Sequence, residues 1–172
     1  MASCAYCNST ILFGGSKAGN LKFCNNECLS KGQLVLLAQS VPENVVAAHA
    51  RNVHSGPCPR CKDSRGPVEV HTAYKVTSFL IMTSWSSSPR ISCNSCGRKH
   101  QLGGLLHSLL LGWWGFPWGL LMTPVQIGRN IVGMVRGANT AEPSPQLQHM
   151  IRMGIASQAM EKQAAGRPVS LA

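Results

Sequence analysis

Eight cysteines offer the chemistry of this 172-residue chain, and they fall in four pairs: Cys4/Cys7, Cys24/Cys28, Cys58/Cys61 and Cys93/Cys96. Three pairs are C-x-x-C and one is C-x-x-x-C, with gaps of 16, 29 and 31 residues between successive pairs. Such a pair lets two thiolates converge on one ion at about 2.3 Å, and two pairs close a tetrahedron with no open position. The spacing therefore predicts two structural Zn²⁺ ions, one on Cys4, Cys7, Cys24 and Cys28, the other on Cys58, Cys61, Cys93 and Cys96. Sequential pairing keeps the loops short and their ordering entropy low. A RING cross-brace needs only a few residues between its middle pairs, and 29 stand there, so a ubiquitin-ligase reading is rejected. The opening "MASCAYC" lacks a charged leader with an apolar run behind it. A reducing compartment is expected, where paired cysteines favour metal over disulfides. A redox C-x-x-C normally occurs once, on a βαβ pattern not seen here.

Little else suggests catalysis. The six acidic residues, Glu27, Glu43, Asp63, Glu69, Glu142 and Glu161, are scattered, with no close carboxylate pair for acid–base work. G-x-S-x-G, P-loop and H-E-x-x-H motifs are absent. The expectation is a protein that is not an enzyme.

The elements that must carry the ligands can be read from pattern. The expected fold class is small α+β zinc-binding modules, a treble-clef-like finger (1–40) and a zinc-ribbon β-meander (58–101), joined by a helical linker (41–57). An apolar helical hairpin (102–136) follows, then a linker, an amphipathic helix and a loose tail (137–172). In the finger, Ile11–Phe13 and Leu21–Phe23 would pair around the glycine-rich "GGSKAGN". "CNNECLSKGQLVLLA" would be a helix with Cys24 and Cys28 at its positive N-terminal turn, where thiolates are stabilised. In the linker, Pro42 suits a first helical turn and Gly56–Pro57 a stop, with His49 and His54 read as surface histidines. In the ribbon, "VEVHTAYKV" alternates as a half-buried strand, "SFLIMTSW" is β-prone, "SSSP" reads as a turn, and Gly97 after the last ligand would permit a tight turn. The long gap suits an extended β-hairpin. Ser144 and Pro145 would start the last helix, with Leu147, Met150, Ile151 and Ile155 on one face.

"KFCNNECLSKG" resembles the second half of TRASH-like treble-clef fingers, a family associated with metal handling and protein interaction; the resemblance implies ligand roles for Cys4, Cys7, Cys24 and Cys28. "CPRC" and "CNSCG" resemble zinc-ribbon knuckles. "LLLGWWGFPWGLLMTPVQIGRNIVG" is similar to a segment that follows a zinc-ribbon knuckle in uncharacterised, membrane-associated bacterial proteins. That likeness covers roughly 58–137 and implies an architecture, not a reaction.

Charge and hydropathy suggest partners. The chain carries +10, unevenly: +2 over 1–57 (four basic, two acidic), +5 over 58–101 (seven, two) and +3 over 102–172 (five, two). Arg60, Lys62, Arg65, Lys75, Arg90, Arg98 and Lys99 form the middle patch, suited to a polyanion, either nucleic acid or an anionic lipid surface. Tyr74, Phe79 or Trp85 could stack on bases, but packing is expected first, so nucleic-acid binding would be weak and sequence-independent. From Leu102 to Gly128 no Asp, Glu, Lys or Arg occurs. Gly112, Gly115, Pro117 and Gly119 break that run into arms of about 15 Å, half a hydrocarbon core. Tryptophan prefers the headgroup interface. Leu109, Leu110, Leu111, Trp113, Trp114, Phe116, Trp118, Leu120 and Leu121 are thus the membrane candidates, on a re-entrant or interfacial hairpin flanked by Arg98, Lys99, Arg129 and Arg136. A single crossing, and burial in a soluble core or oligomer, stay open. The favoured expectation is a non-catalytic zinc-binding adaptor on a membrane with anionic lipid, its zinc modules facing the cytoplasm, with an unknown protein partner. The alternatives are a soluble nucleic-acid-binding zinc-finger protein, and heavy-metal sensing or handling.

Overall fold

The computed structural model describes residues 2–64, 66–80, 82–137 and 141–165. Eleven elements follow one another: β1 (Ala2–Ser3), β2 (Thr10–Ile11), β3 (Ser16–Ala18), β4 (Leu21–Phe23), α1 (Asn26–Ser40), α2 (Glu43–Ser55), β5 (Val68–Phe79), β6 (Met82–Cys93), α3 (Asn94–Leu111), α4 (Trp118–Arg136) and α5 (Pro145–Ala164). The chain divides into two units, residues 1–48 with 148–172, and residues 49–147. The class is α+β, as expected, with four-cysteine groups on small hairpins and, among the described residues, five helices.

The first unit holds two ladders. β1 pairs antiparallel with β2, and β3 with β4. Leu21–Phe23 therefore takes Ser16–Ala18 as its partner, not Ile11–Phe13. The reason is local: Gly19, with φ of +56°, opens a two-residue turn with Asn20, and the tighter loop wins. Leu12 and Phe13 stay exposed. α1 starts where Asn25 accepts the Cys28 N–H at 2.7 Å on its side chain, the usual N-cap bond. Phe23 is buried against Gly32, where a Cβ would come within 2.4 Å of the ring. Arg152 on α5 pairs with Glu43.

In the second unit β5 and β6 form one long antiparallel hairpin in continuous register from Val68↔Cys93 to Phe79↔Met82. It is a two-stranded hairpin, not a meander. "SSSP" is no turn either: Ser86–Pro89 lies inside β6, opposite Lys75–Thr72. Reversal comes at Leu80, whose φ is +52°. α3 and α4 pack on β5 and on each other, joined by the "GWWGFP" turn. α3 begins at Asn94, so the expected border at 101/102 falls inside a helix. Gly97 is helical as well; a Cβ there would strike the His71 ring at 2.2 Å, so packing rather than turning demands glycine. His54 is buried, contrary to its reading as a surface residue, and bonds Glu69; His49 is exposed. The start of the last helix at Pro145 is as expected, with Leu147 and Ile151 buried. The end of the tail, 166–172, lies outside the described residues.

No helix of the described residues is long and apolar enough to cross a membrane. The open question of a single crossing by a helix is thereby answered for those residues.

Candidate metal centres

Both expected cysteine groups assemble. In each, one sulfur atom per residue lies within 4.8 Å of every other. Four thiolates around zinc at about 2.3 Å stand about 3.8 Å apart, so the spacing fits a tetrahedral ion. Each group can hold a metal ion, and the all-sulfur donor set suits zinc.

The two centres are built alike, which the sequence reading did not foresee. Each begins with a knuckle: Cys4 N–H donates to the Ser9 carbonyl and Cys58 N–H to that of Asp63, both at 2.9 Å. Asn8 and Lys62 then donate back to the Cys4 and Cys58 carbonyls, again at 2.9 Å, from left-handed backbone at φ +57° and +61°. The third ligand ends or follows a strand, Cys24 after β4 and Cys93 closing β6. Its N–H points at the first sulfur, Cys24 to Cys4 Sγ at 3.4 Å and Cys93 to Cys58 Sγ at 3.3 Å. The fourth, Cys28 or Cys96, sits in the first turn of a helix. The second centre is therefore knuckle, hairpin and helix in the same order as the first, rather than a ribbon closed by two knuckles.

Backbone donors set the thiols' acidity. Cys4 is pulled down to about 6, chiefly by the Cys7 N–H. At Cys58 burial opposes ionisation, but N–H groups of Cys61, Cys93 and Arg60 outweigh it and the value also falls to about 6. The last thiols rise to about 12, Cys28 through its hydrogen bond with Cys24 and Cys96 through burial. Cys7 is lowered as well, by its hydrogen bonds with Ser9, while four thiolates held together in one cluster require a cation among them.

The basic patch is only partly gathered. Arg60, Arg90 and Lys99 line a cavity of about 230 Å³ with Ser92, Cys96 and His100. Lys62, Lys75 and Arg98 do not line it, and Arg65 lies outside the described residues. Ser92 is buried and its hydroxyl finds no partner among the described residues.

The membrane candidates cluster at the far end of the hairpin. Leu80 bridges to Gly115, and Phe116 N–H donates to the Leu80 carbonyl at 3.2 Å. The β-turn and the helical turn thus form one tip. There Leu80, Trp114 and Phe116 are 71%, 71% and 77% exposed, and Leu109, Leu110, Leu111, Trp113, Trp118, Leu120 and Leu121 are exposed too. Phe79, Met82 and Trp85 join them; of these the sequence marks Phe79 and Trp85 for stacking or packing and gives Met82 no such role.

Beneath this apolar surface the helices bury polar and small residues, Gln101, Gly104 and Ser108 on α3 and Gly119, Thr123, Gln126 and Asn130 on α4. Gln101, Ser108 and Asn130 satisfy the free edge of β5. Gln101 donates to the Thr72 carbonyl at 3.3 Å, Asn130 bonds both backbone groups of Tyr74, and Ser108 accepts the Val76 N–H at 3.1 Å. Their spacing of three and four residues is visible in the sequence, where it was passed over for the leucines. Another centre was missed. Glu69 takes His54 Nδ1 at 3.0 Å on Oε1, together with the Ser144 N–H at 2.9 Å, and the Ser144 hydroxyl at 2.7 Å on Oε2.

No family model matches the chain, and neither a curated protein nor a solved structure does. What stands is two four-cysteine groups consistent with zinc-binding modules, with no family identified.

Proposed function

We propose that this chain is a non-catalytic adaptor, built on two structural Zn²⁺ ions, that seats the apolar tip of its second unit in one leaflet of a membrane. One observation carries the reading: α3 and α4 bury polar and small residues and turn their apolar side chains outward, and the charges of the second unit stop short of the tip on every element. The nearest are Lys75, Arg90, Lys99 and Arg129. Along α4, Trp118 to Arg129 is about 16 Å, and along α3, Leu111 back to Lys99 is about 18 Å. Phe79 to Lys75 is about 13 Å along β5. A leaflet's hydrocarbon is about 15 Å deep. Each leucine transferred gains roughly 1.5–3 kcal/mol, and backbone groups taken into lipid need internal partners, which the side chains along β5 supply. The zinc centre stands at the opposite end, in water on the cytoplasmic side, free to meet a protein partner.

Flotation of the zinc-loaded full chain with phosphatidylcholine/phosphatidylglycerol vesicles tests this. The chain should float, and a W113S/W114S/F116S variant should stay behind. A monodisperse full chain that needs no detergent and ignores vesicles overturns the reading. A second reading, a soluble nucleic-acid binder, draws on the Arg60/Arg90/Lys99 cavity and its unpartnered Ser92 hydroxyl. Phosphate contacts there would give binding that falls steeply with salt; tight sequence-specific binding at physiological salt would favour it over the adaptor.

A further inference from the structure

A cleft of about 590 Å³ opens between β5 and α4, lined by residues that include Tyr74, Gln101, Val125, Gly128, Arg129 and Arg136. Its chemistry is that of an amphiphile. Arg129, Val132 and Arg136 share one face of α4, two turns long. Arg129 lies 4.1 Å over the Tyr74 ring, which fixes the guanidinium at the cleft. Gln101 is buried; its Nε2 donates to the Thr72 carbonyl, while Oε1 finds no partner among the described residues. A buried acceptor left unpaired is destabilising, and a hydroxyl donor entering the cleft would remove that cost. Towards the tip the wall becomes Val125, which is exposed. At Gly128 a Cβ would meet no atom of the described residues within 4 Å, so no contact among them explains a residue that weakens a helix relative to alanine.

We propose that this cleft binds one anionic phospholipid carrying a hydroxylated headgroup. Arg129 and Arg136 hold the phosphodiester, a headgroup hydroxyl donates to Gln101 Oε1, and an acyl chain runs along Val125 toward Leu121. The inference rests on the membrane reading, which puts Arg129 about one leaflet from the tip, at the depth of the phosphates. The site gives that reading a ligand: the adaptor is held by a particular lipid as well as by greasy burial.

The test is native mass spectrometry of the zinc-loaded full chain in neutral detergent with added phosphatidylglycerol, alongside flotation on pure phosphatidylcholine vesicles. One phosphatidylglycerol should stay bound per chain. R129Q/R136Q should weaken its retention by about thirtyfold, two cationic contacts of ordinary strength. Gly128→Leu should do the same by filling the cleft, with no change of charge. R98Q/K99Q removes equal charge away from the cleft and should retain the lipid. All three should float on phosphatidylcholine as the parent does. Equal retention by R129Q/R136Q, or no retention by a parent that floats, overturns the cleft alone. A parent that neither floats nor retains lipid overturns both readings. Displacement by soluble glycerophosphate at matching concentration shows a free phosphodiester site and overturns the lipid assignment.

Discussion

Asn130 on α4 closes both polar groups of Tyr74 on β5, accepting its N–H at 2.9 Å and donating to its carbonyl at 2.7 Å. A neighbouring strand would otherwise supply this pair of bonds. The amide does so from a helix, with the side chain fully buried. Ser108 and Gln101 extend the pattern to Val76 and Thr72. The open edge of a two-stranded hairpin invites pairing with other chains, and here helix side chains cover it. The buried faces of α3 and α4 are therefore polar, and their apolar faces turn outward.

Asn130→Leu keeps much of the volume and removes both bonds. It leaves a buried N–H and a buried carbonyl unpaired, at about 1–3 kcal/mol each. The variant should unfold at lower denaturant, and the Tyr74 amide should lose hydrogen-exchange protection while amides facing β6 keep theirs. Unchanged protection at Tyr74 would mean that this amide pair does not hold the edge.

Gly97→Ala should be costly for a different reason. The new Cβ meets His71 at Cγ, the root of the ring, at 2.2 Å, and overpacking of this kind costs typically 1–3 kcal/mol. Burial also holds His71 below the ordinary imidazole range. The unfolded chain then takes up the proton first as pH falls, so His71 contributes stability above about 6.5 and loses it as pH falls toward its folded value. Thermal unfolding of the parent should fall more steeply on acidification than that of His71→Leu. Parallel pH profiles would show that His71 is not protected from protonation.

The cysteine spacing was enough to group the ligands, because chelation is a short-range constraint written in sequence distance. The helix after Pro42 and the break around Pro117 followed from a first-turn proline and from helix breakers, whereas the first helix, expected from Cys24, begins only at Asn26 behind its Asn25 cap and leaves Cys24 outside it. The partner of Leu21–Phe23 did not follow, because a glycine-rich loop offers several turns and only the tightest is used. The outer face of the helical hairpin was legible as apolar, but its meaning lay in Ser108, Thr123 and Asn130, whose partners are backbone groups remote in sequence. Glu69 looked like one of six scattered acids until the fold brought His54 and Ser144 to it.

Glu69 is buried and its oxygens receive His54 and both donors of Ser144, while the Ser144 hydroxyl accepts the Leu147 N–H at 3.2 Å. It thus joins the end of α2, β5 and the start of α5. Glu69→Ala strands several buried groups and should cost about 3–5 kcal/mol. Ser144→Ala, which leaves its backbone N–H bond intact, should cost nearer 1 kcal/mol. Chemical denaturation of both variants checks the order; equal costs would place the burden on the Ser144 hydroxyl and leave nothing to the His54 contact.

Metal content gives a separate check. Purified protein should carry two zinc ions, and Cys4→Ser or Cys58→Ser should remove one each. Metal binding in closed thiolate sites is coupled to folding, with apparent free energies of about 10–16 kcal/mol. Chelation should therefore unfold the hairpins that carry the ligands rather than loosen them, seen as lost amide dispersion around Cys24 and Cys93. Fewer than one zinc per chain, or an unchanged spectrum after chelation, would refute the two centres.

The tip makes the sharpest prediction, because its tryptophans stand at different heights. Trp113, Trp114 and Trp118 flank the helical turn, while Trp85 lies opposite Val76, about 10 Å back along β6 from Met82. Trp114 Nε1 already donates to the Leu110 carbonyl at 2.9 Å, so its indole carries a partner into lipid and avoids the usual cost of an unpaired N–H. On anionic vesicles, variants retaining a single tryptophan should all shift their emission to the blue. Bromine placed deep on the acyl chain should quench the residue at 113, 114 or 118 more than that at 85, and bromine near the headgroup should reverse the order. Vesicles should leave all emission unchanged if the exposed face instead packs against a second copy of the chain. In that case cross-linking between tips would rise with protein concentration and be indifferent to lipid, and the membrane reading would fail.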